Sequence, residues 1–210
     1  MFLLPQWVKL GGPVMPLLLF VSAIAIAVFI ERLLHYHRAQ INSAEFLNGI
    51  RTVLKRENVV EALSICEATP GPVPRLVKTA ILNHERGREG VREALEEAGL
   101  LEVPRLEEKL NVLATIAQIA PLMGLFGTVL GFITIFSDID SAGINLQKQK
   151  LAEGVWQALI CTAFGLAVAI PCYTGYNYLV SRVNSIVLDM EKASTDILNI
   201  VTNRPLPKSQ

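Results

Sequence analysis

The chain has 210 residues, of which 51% are apolar and 18% are charged, and its mean hydropathy is +0.42, whereas soluble domains carry about 25% charged residues. Nineteen basic residues balance nineteen acidic ones, which leaves no net charge to attract nucleic acid. A disulfide scaffold is excluded, because two of the three cysteines lie inside one uncharged run.

Three stretches of the chain contain no Asp, Glu, Lys or Arg. They cover residues 13–30, 110–137 and 154–181, which are 18, 28 and 28 residues long. A membrane span needs about 20 apolar residues, and a soluble core helix has no reason to stay uncharged for so long. A cleavable signal peptide is the alternative for the first stretch, but its flanking charges, Arg32 and Arg38, follow the apolar residues instead of preceding them. The sequence predicts an all-α membrane protein with three transmembrane helices and excludes a soluble enzyme.

The positive charges predict the orientation of these helices. Twelve Lys and Arg residues lie between Glu31 and Lys109, against two between Ser137 and Glu153. Cytoplasmic segments carry the excess of positive charge. The predicted segments are a periplasmic N-terminus (1–12), transmembrane helix 1 (13–30), a cytoplasmic helical segment (31–109), transmembrane helix 2 with a cytoplasmic extension (110–136), a periplasmic loop (137–153), transmembrane helix 3 (154–180), and a cytoplasmic C-terminal helix and tail (181–210).

The predicted cytoplasmic segment has apolar residues at helical spacing on both sides of a proline-rich break at residues 70–74. None of its pieces can bury a core of its own. We therefore expect them to pack on long helical extensions of the transmembrane helices. One continuous helix is expected from Pro104 into the second span, and another from the third span through Val187 and Ile197. His35 and His37 diverge on a helix, so a solvated interfacial face is expected there instead of a metal site.

The second span carries small and polar residues on one helical face. Pro121, Gly124, Thr128 and Gly131 share that face, and Gly127 forms a GxxxG pair with Gly131. Small residues let membrane helices approach closely, because lipid provides little hydrophobic drive between them. Simple helix packing is one interpretation of this face, and the lining of a polar path is the other.

The third span has the same character. Glu153, Gln157 and Thr162 enter it, and Gly165 and Pro171 follow. Polar groups in hydrocarbon are costly unless they face protein or water. A threonine hydroxyl bonded to its own helix carbonyl is the structural alternative to a functional role.

The depths of two threonines in the membrane favour a functional role over this structural alternative. Thr128 lies eight residues before Phe136 at one end of its span, and Thr162 lies eight residues after Gly154. At about 1.5 Å per residue, both lie roughly 12 Å below the outer end. The spacing predicts a polar layer across the two helices.

Two segments resemble a known family. Residues 120–131, APLMGLFGTVLG, resemble the second-span signature of the MotA/TolQ/ExbB proton channel family, and residues 157–166, QALICTAFGL, with AIP at 169–171, resemble the third. The three-span layout and the large cytoplasmic segment resemble the ExbB and TolQ branch, and the overall likeness favours ExbB. Apart from this resemblance, the sequence contains no catalytic constellation, and neither an enzyme activity nor a cofactor is expected.

The resemblance implies a homopentameric ring in the bacterial inner membrane. The ring would enclose the helices of an ExbD- or TolR-like single-span partner that carries an intramembrane Asp. Proton flow would then drive a TonB- or TolA-like energy transducer, with Thr128 and Thr162 facing the pore. The alternatives are a TolQ-like role in the Tol-Pal envelope-maintenance system and a membrane scaffold that conducts nothing.

One residue departs from the family pattern. ExbB and TolQ proteins commonly carry a glutamate at the position of Gln157, and glutamine cannot release a proton. The nearest carboxylate, Glu153, lies one helical turn towards the outside. A proton relay needs titratable groups at membrane depth. Because the two long spans contain no Asp, Glu, Lys or Arg, the chain is expected to be one half of a proton-conducting complex.

Overall fold

The structure is a computed structural model that describes residues 11–39, 41–142 and 148–202. The predicted N-terminal segment as far as residue 10, residues 143–147 of the predicted periplasmic loop, and the tail beyond Thr202 lie outside the described residues. Within them there is no strand, and the elements are α1 (Val14–Ala39), α2 (Ser43–Lys55), α3 (Val59–Ala68), α4 (Pro72–Leu82), a 3₁₀ turn (His84–Arg86), α5 (Gly87–Glu107), α6 (Leu110–Ala142) and α7 (Lys148–Thr202). Three helices, α1, α6 and α7, are long and apolar enough to cross a membrane. The predicted all-α fold with three such helices is confirmed.

The chain forms two compact units. The first comprises Met1–Glu31 and Lys109–Tyr178, and the second comprises Arg32–Glu108 and Leu179–Gln210. In the first unit, Met15 and Leu18 of α1 are fully buried. One face of α6, by contrast, exposes large apolar side chains at helical spacing. They are Leu122, Leu125, Phe126, Val129, Phe132, Ile133 and Phe136. Such a face is suited to lipid or to another apolar helix.

The predicted continuous helix from Pro104 into the second span is wrong. Helix α5 ends at Glu107 and α6 begins at Leu110. Between them Lys109 has φ 64°, a left-handed conformation that cannot continue a right-handed helix. The other expected extension is confirmed, because α7 runs without a break to Thr202.

The second unit is built from short helices with clear start signals. Asn42 and Asn58 cap α2 and α3, and their side chains accept hydrogen bonds from the backbone N–H groups of Glu45 and Glu61. Pro72 opens α4, where its missing N–H costs nothing. These helices bury apolar faces that include Leu47, Ile50, Leu76, Val77 and Ile81.

Charged side chains are also buried in the second unit. Glu102 is 7% exposed and forms ion pairs with Arg75 at 2.7 Å and Arg105 at 2.9 Å. The expected solvated face around His35 is wrong at one position, because Arg32 is only 4% exposed and pairs with Glu108 at 3.4 Å. A buried arginine of this kind requires a counter-ion.

The buried thiol of Cys66 in α3 makes the second unit sensitive to alkaline pH. Burial raises the pKa of Cys66 from 9.0 to about 11. The folded state therefore holds this proton more tightly than the unfolded state does. This difference contributes to the free energy of unfolding in full below pH 9. The contribution, about 2 kcal/mol, is lost as the pH rises from 9 towards 11.

The measurement is denaturant unfolding between pH 8 and pH 11. The wild-type free energy of unfolding should fall more steeply above pH 9 than that of Cys66→Ala. The pKa of Tyr36 is also raised, chiefly by burial, but both proteins contain this tyrosine and it cancels in the comparison. Parallel curves would contradict the assignment.

Candidate functional site

The backbones of α6 and α7 touch at a pair of glycines. A Cβ placed on Gly124 would lie 2.9 Å from the carbonyl oxygen of Cys161 and 3.2 Å from the Cα of Gly165. A Cβ placed on Gly165 would lie 2.7 Å from the carbonyl oxygen of Ala120. Backbone atoms cannot move aside as the end of a flexible side chain can. Both positions therefore require glycine at this helix separation.

The contact continues along the same face of α6. A Cβ on Gly131 would lie 3.0 Å from both the Ala158 Cβ and the Gly154 carbonyl oxygen, and a Cβ on Gly127 would lie 2.5 Å from the Cys161 Cβ. The small-residue face of the second span thus packs against α7 of the same chain. This is the close approach through small residues that holds helices together in a membrane.

Thr128 and Thr162 meet inside this contact. Their Oγ1 atoms are hydrogen-bonded to each other across the two helices. Both hydroxyls also reach the same two backbone carbonyls. Thr128 Oγ1 lies 3.3 Å from the Gly124 oxygen and 3.2 Å from the Ala158 oxygen, and Thr162 Oγ1 lies 3.4 Å from each.

The number of hydroxyl protons limits which of these bonds form together. Each threonine supplies one donor, so one proton lies between the two hydroxyls and the other goes to a carbonyl. Either hydroxyl can be the donor in the pair, since each has the same two carbonyls within reach. Both side chains are half-buried. The pair can therefore reverse its direction without moving heavy atoms, and it keeps oxygen lone pairs to accept a proton donor.

Two other threonines on the same helices behave differently. Thr134 on α6 donates to Leu130 O at 3.0 Å, and Thr174 on α7 donates to Ile170 O at 3.0 Å. Both side chains are exposed, and each of these bonds lies within one helix. This is the back-bonded arrangement expected for a threonine with a structural role alone.

The remaining predicted residues lie apart from the threonine pair. Gln157 is half-buried and packs against Gly12, since a Cβ at that glycine would overlap its amide. Five residues along a helix correspond to about 140° of rotation, so Gln157 and Thr162 lie on different faces of α7. Glu153 is exposed. The structure brings together the threonines and glycines but does not place Glu153 or Gln157 with them.

The two prolines predicted in this region are tolerated inside their helices. Pro121 is half-buried in α6, and Pro171 is exposed in α7. Membrane helices accommodate proline when neighbouring groups satisfy the freed carbonyl.

Cys161 is the residue at this site that sequence reasoning missed. Its side chain is fully buried, and its Sγ donates to the carbonyl oxygen of Gly11 at 2.9 Å. It also packs against Gly127, which lies beside Val14 of α1. The sequence contains a pattern that could have identified Cys161, because it continues the series of small residues at Gly154 and Ala158 and lies next to Thr162.

Among the residues that the structure describes in the first unit, the acidic and basic side chains lie near the two ends of the helices. Glu31 and Lys109 form an ion pair at one end, and Asp138, Asp140 and Glu153 lie at the other. Between them the two long helices offer hydroxyl, amide and carbonyl groups. These groups can donate and accept hydrogen bonds, but they cannot hold a charge at neutral pH.

Comparison with known proteins gives this arrangement a context. The model of the MotA/TolQ/ExbB proton channel family matches residues 68–192. A protein of Methanothermobacter thermautotrophicus, named as a homolog of the biopolymer transport protein ExbB, is 31% identical over 78% of this chain and 59% of its own length. The Tol-Pal system protein TolQ of Haemophilus influenzae is 41% identical over 48% of this chain and 43% of its own. The biopolymer transport protein ExbB of Neisseria gonorrhoeae is 26% identical over 89% and 91%.

The match covers more than half of the chain and includes α6, α7 as far as residue 192, and the threonine pair. The chain spans about three fifths of the length of the first of these relatives and less than half of that of the second. Its three apolar helices agree with a multi-pass membrane protein. On the family match and these relatives, the chain belongs to the MotA/TolQ/ExbB proton channel family.

Proposed function

We propose that this chain is an ExbB-like subunit of an inner-membrane proton channel that uses the proton motive force to energise transport across the outer membrane. The observation that carries the proposal is the pair of Thr128 and Thr162 hydroxyls, which are hydrogen-bonded to each other between the uncharged stretches of α6 and α7. A hydroxyl pair both donates and accepts, so it can solvate either protonation state of a carboxyl group or a chain of water.

The proposal includes a partner that brings the titratable group. Residues 110–137 and 154–181 contain no Asp, Glu, Lys or Arg, and a proton relay needs such a group at membrane depth. A single-span, ExbD-like protein with an intramembrane aspartate would supply it. A homopentameric ring of this chain would enclose that helix, and a TonB-like protein would receive the work.

The orientation belongs to the same proposal. The excess of positive charge between Glu31 and Lys109 favours a cytoplasmic location for that segment and for the C-terminus, with a periplasmic N-terminus. The relatives named ExbB and the uncharged character of the three spans support the bacterial inner membrane as the location.

Proton flux in liposomes tests the proposal. The chain is co-expressed and purified with a single-span protein that carries a mid-membrane aspartate, and flux is followed with an internal pH dye under an imposed potential. We expect flux from the complex, background flux from either protein alone, and loss of flux when the partner's aspartate is changed to asparagine. Equal, partner-independent flux from the chain alone, or a stable complex that conducts nothing, would contradict it.

A TolQ-like role is the second candidate, favoured by the relative named TolQ. Deletion of the gene separates the two roles. Loss of energy-dependent uptake across the outer membrane supports the ExbB-like role, whereas detergent sensitivity with intact uptake supports the TolQ-like role.

A further inference from the structure

The turn that precedes α1 makes two contacts with one face of α7. The carbonyl oxygen of Gly11 accepts the Cys161 thiol at 2.9 Å. The next residue, Gly12, lies so close to the Gln157 side chain that a Cβ there would overlap the amide nitrogen and lie 2.9 Å from Cδ. Because Gln157 and Cys161 are one helical turn apart, both contacts hold the turn at residues 11–13 on the same strip of α7.

The conformation of Gly12 makes this contact specific to glycine. Its φ is +65°, a region that residues with a Cβ enter at a cost of about 1 kcal/mol or more. The missing side chain also leaves the space that the Gln157 amide fills. Glycine is thus required here for two independent reasons, one conformational and one steric.

We infer that Gln157 is a positioning residue. Together with Gly12 it holds the turn at residues 11–13, just before α1, over Cys161; we call this contact the latch, and it fixes one side of the threonine pair. Cys161 lies next to Thr162 in α7 and touches Gly127 of α6, so the latched turn covers the point where three helices meet. This gives the glutamine at position 157 a role that requires no proton transfer. Its link to conduction rests on the proposed function, but the latch itself does not.

The latch predicts the accessibility of Cys161. In a background with Cys66→Ala and Cys172→Ala, Cys161 is the single thiol of the chain, and its modification by N-ethylmaleimide reports on the turn. A clash of this kind costs about 1–3 kcal/mol, so Gly12→Ala should open the turn and speed modification about ten- to a hundredfold. Gln157→Ala, which removes the other half of the latch, should also speed modification.

The double variant identifies the contact itself. When Gln157 is already alanine, a Cβ at position 12 meets no amide. Gly12→Ala should then add only the strain of its φ, about fivefold for about 1 kcal/mol, which is less than its effect when the Gln157 side chain is present. Gly175→Ala is the matched control, since its Cβ would lie 3.0 Å from the Phe29 ring in another contact between α1 and α7. It should leave the modification of Cys161 unchanged.

Two results would overturn the latch. One is a rate of Cys161 modification in both Gly12→Ala and Gln157→Ala that equals the rate in the wild-type background. The other is an equal effect of Gly12→Ala in the presence and absence of the Gln157 side chain.

Flux through the complex distinguishes this inference from the proposed function. Gly12→Ala and Gln157→Ala should lower flux to the same extent without shifting its pH profile. A shifted pH profile in Gln157→Ala alone would place Gln157 in the proton path and reject the positioning role. If the wild-type complex conducts nothing, the proposed function fails while the labelling result still stands.

Discussion

Proton flux through the reconstituted complex should fall about ten- to a hundredfold when both threonines of the pair become valine. The valines cannot hydrogen-bond the aspartate of the proposed partner, and a hydrogen bond to a charged group is worth about 1.5–3 kcal/mol. The Thr128→Val, Thr162→Val double variant keeps the shape of both side chains and removes both hydroxyls. The Gly124 and Ala158 carbonyls remain within their helices, so the fold should persist. A hydrogen bond between membrane helices contributes only about 0.6 kcal/mol on average.

Thr134→Val and Thr174→Val provide the matched control for this variant. They make the same chemical change on the same two helices, at hydroxyls that bond only to their own helix. The control pair should conduct like the wild type. Undiminished flux in the Thr128→Val, Thr162→Val variant, or an equal loss in the control, would refute the hydroxyl layer.

Gly165→Leu should prevent α6 and α7 from packing together, so the chain should not reach its folded state. The nearest atoms to a Cβ at this position are the Ala120 carbonyl oxygen at 2.7 Å and the Gly124 Cα at 2.9 Å. Since both belong to the backbone of α6, the helices must separate. Overpacking costs about 1–3 kcal/mol even where neighbours can relax, and the loss of the interhelical contacts adds to it. Size-exclusion chromatography and thermal unfolding in detergent are the measurements.

Gly49→Leu is the control for a glycine-to-leucine change. Gly49 is exposed in α2, and no atom lies within 4 Å of a Cβ placed there. The variant should assemble normally and gain up to about 0.8 kcal/mol from helix propensity. A monodisperse, thermally stable Gly165→Leu protein would show that α6 and α7 do not meet at this glycine.

The three long helices could be predicted because their cause is local in sequence. An uncharged run of 28 residues has few alternatives to a membrane helix. The start of the run at Leu110 is also the start of α6, but α7 begins at Lys148, before the uncharged run that starts at Gly154, because a helix can continue through charged residues. The glycine face was likewise visible in the spacing of Gly124 and Gly131. Sequence alone left open whether that face met a neighbouring helix or a lumen, and in the structure it meets α7.

The features that escaped prediction depend on tertiary contacts. The break before α6 arises from the positive φ of Lys109, and lysine gives no sign of such a conformation. The burial of Arg32 depends on Glu108, which is distant in sequence. The place of Gln157 depends on a glycine at the start of another helix. Periodicity within one helix contains none of this information.

The mutual contact of Gly124 and Gly165 restricts how this sequence can diverge during evolution. The two glycines are in contact, so a side chain added at either position would clash with the backbone of the opposite helix. No substitution at one of them can be compensated by shrinking the other, because glycine is already the smallest residue. Lineages descended from this chain can therefore exchange one apolar residue for another on the exposed face of α6, while both glycines persist together.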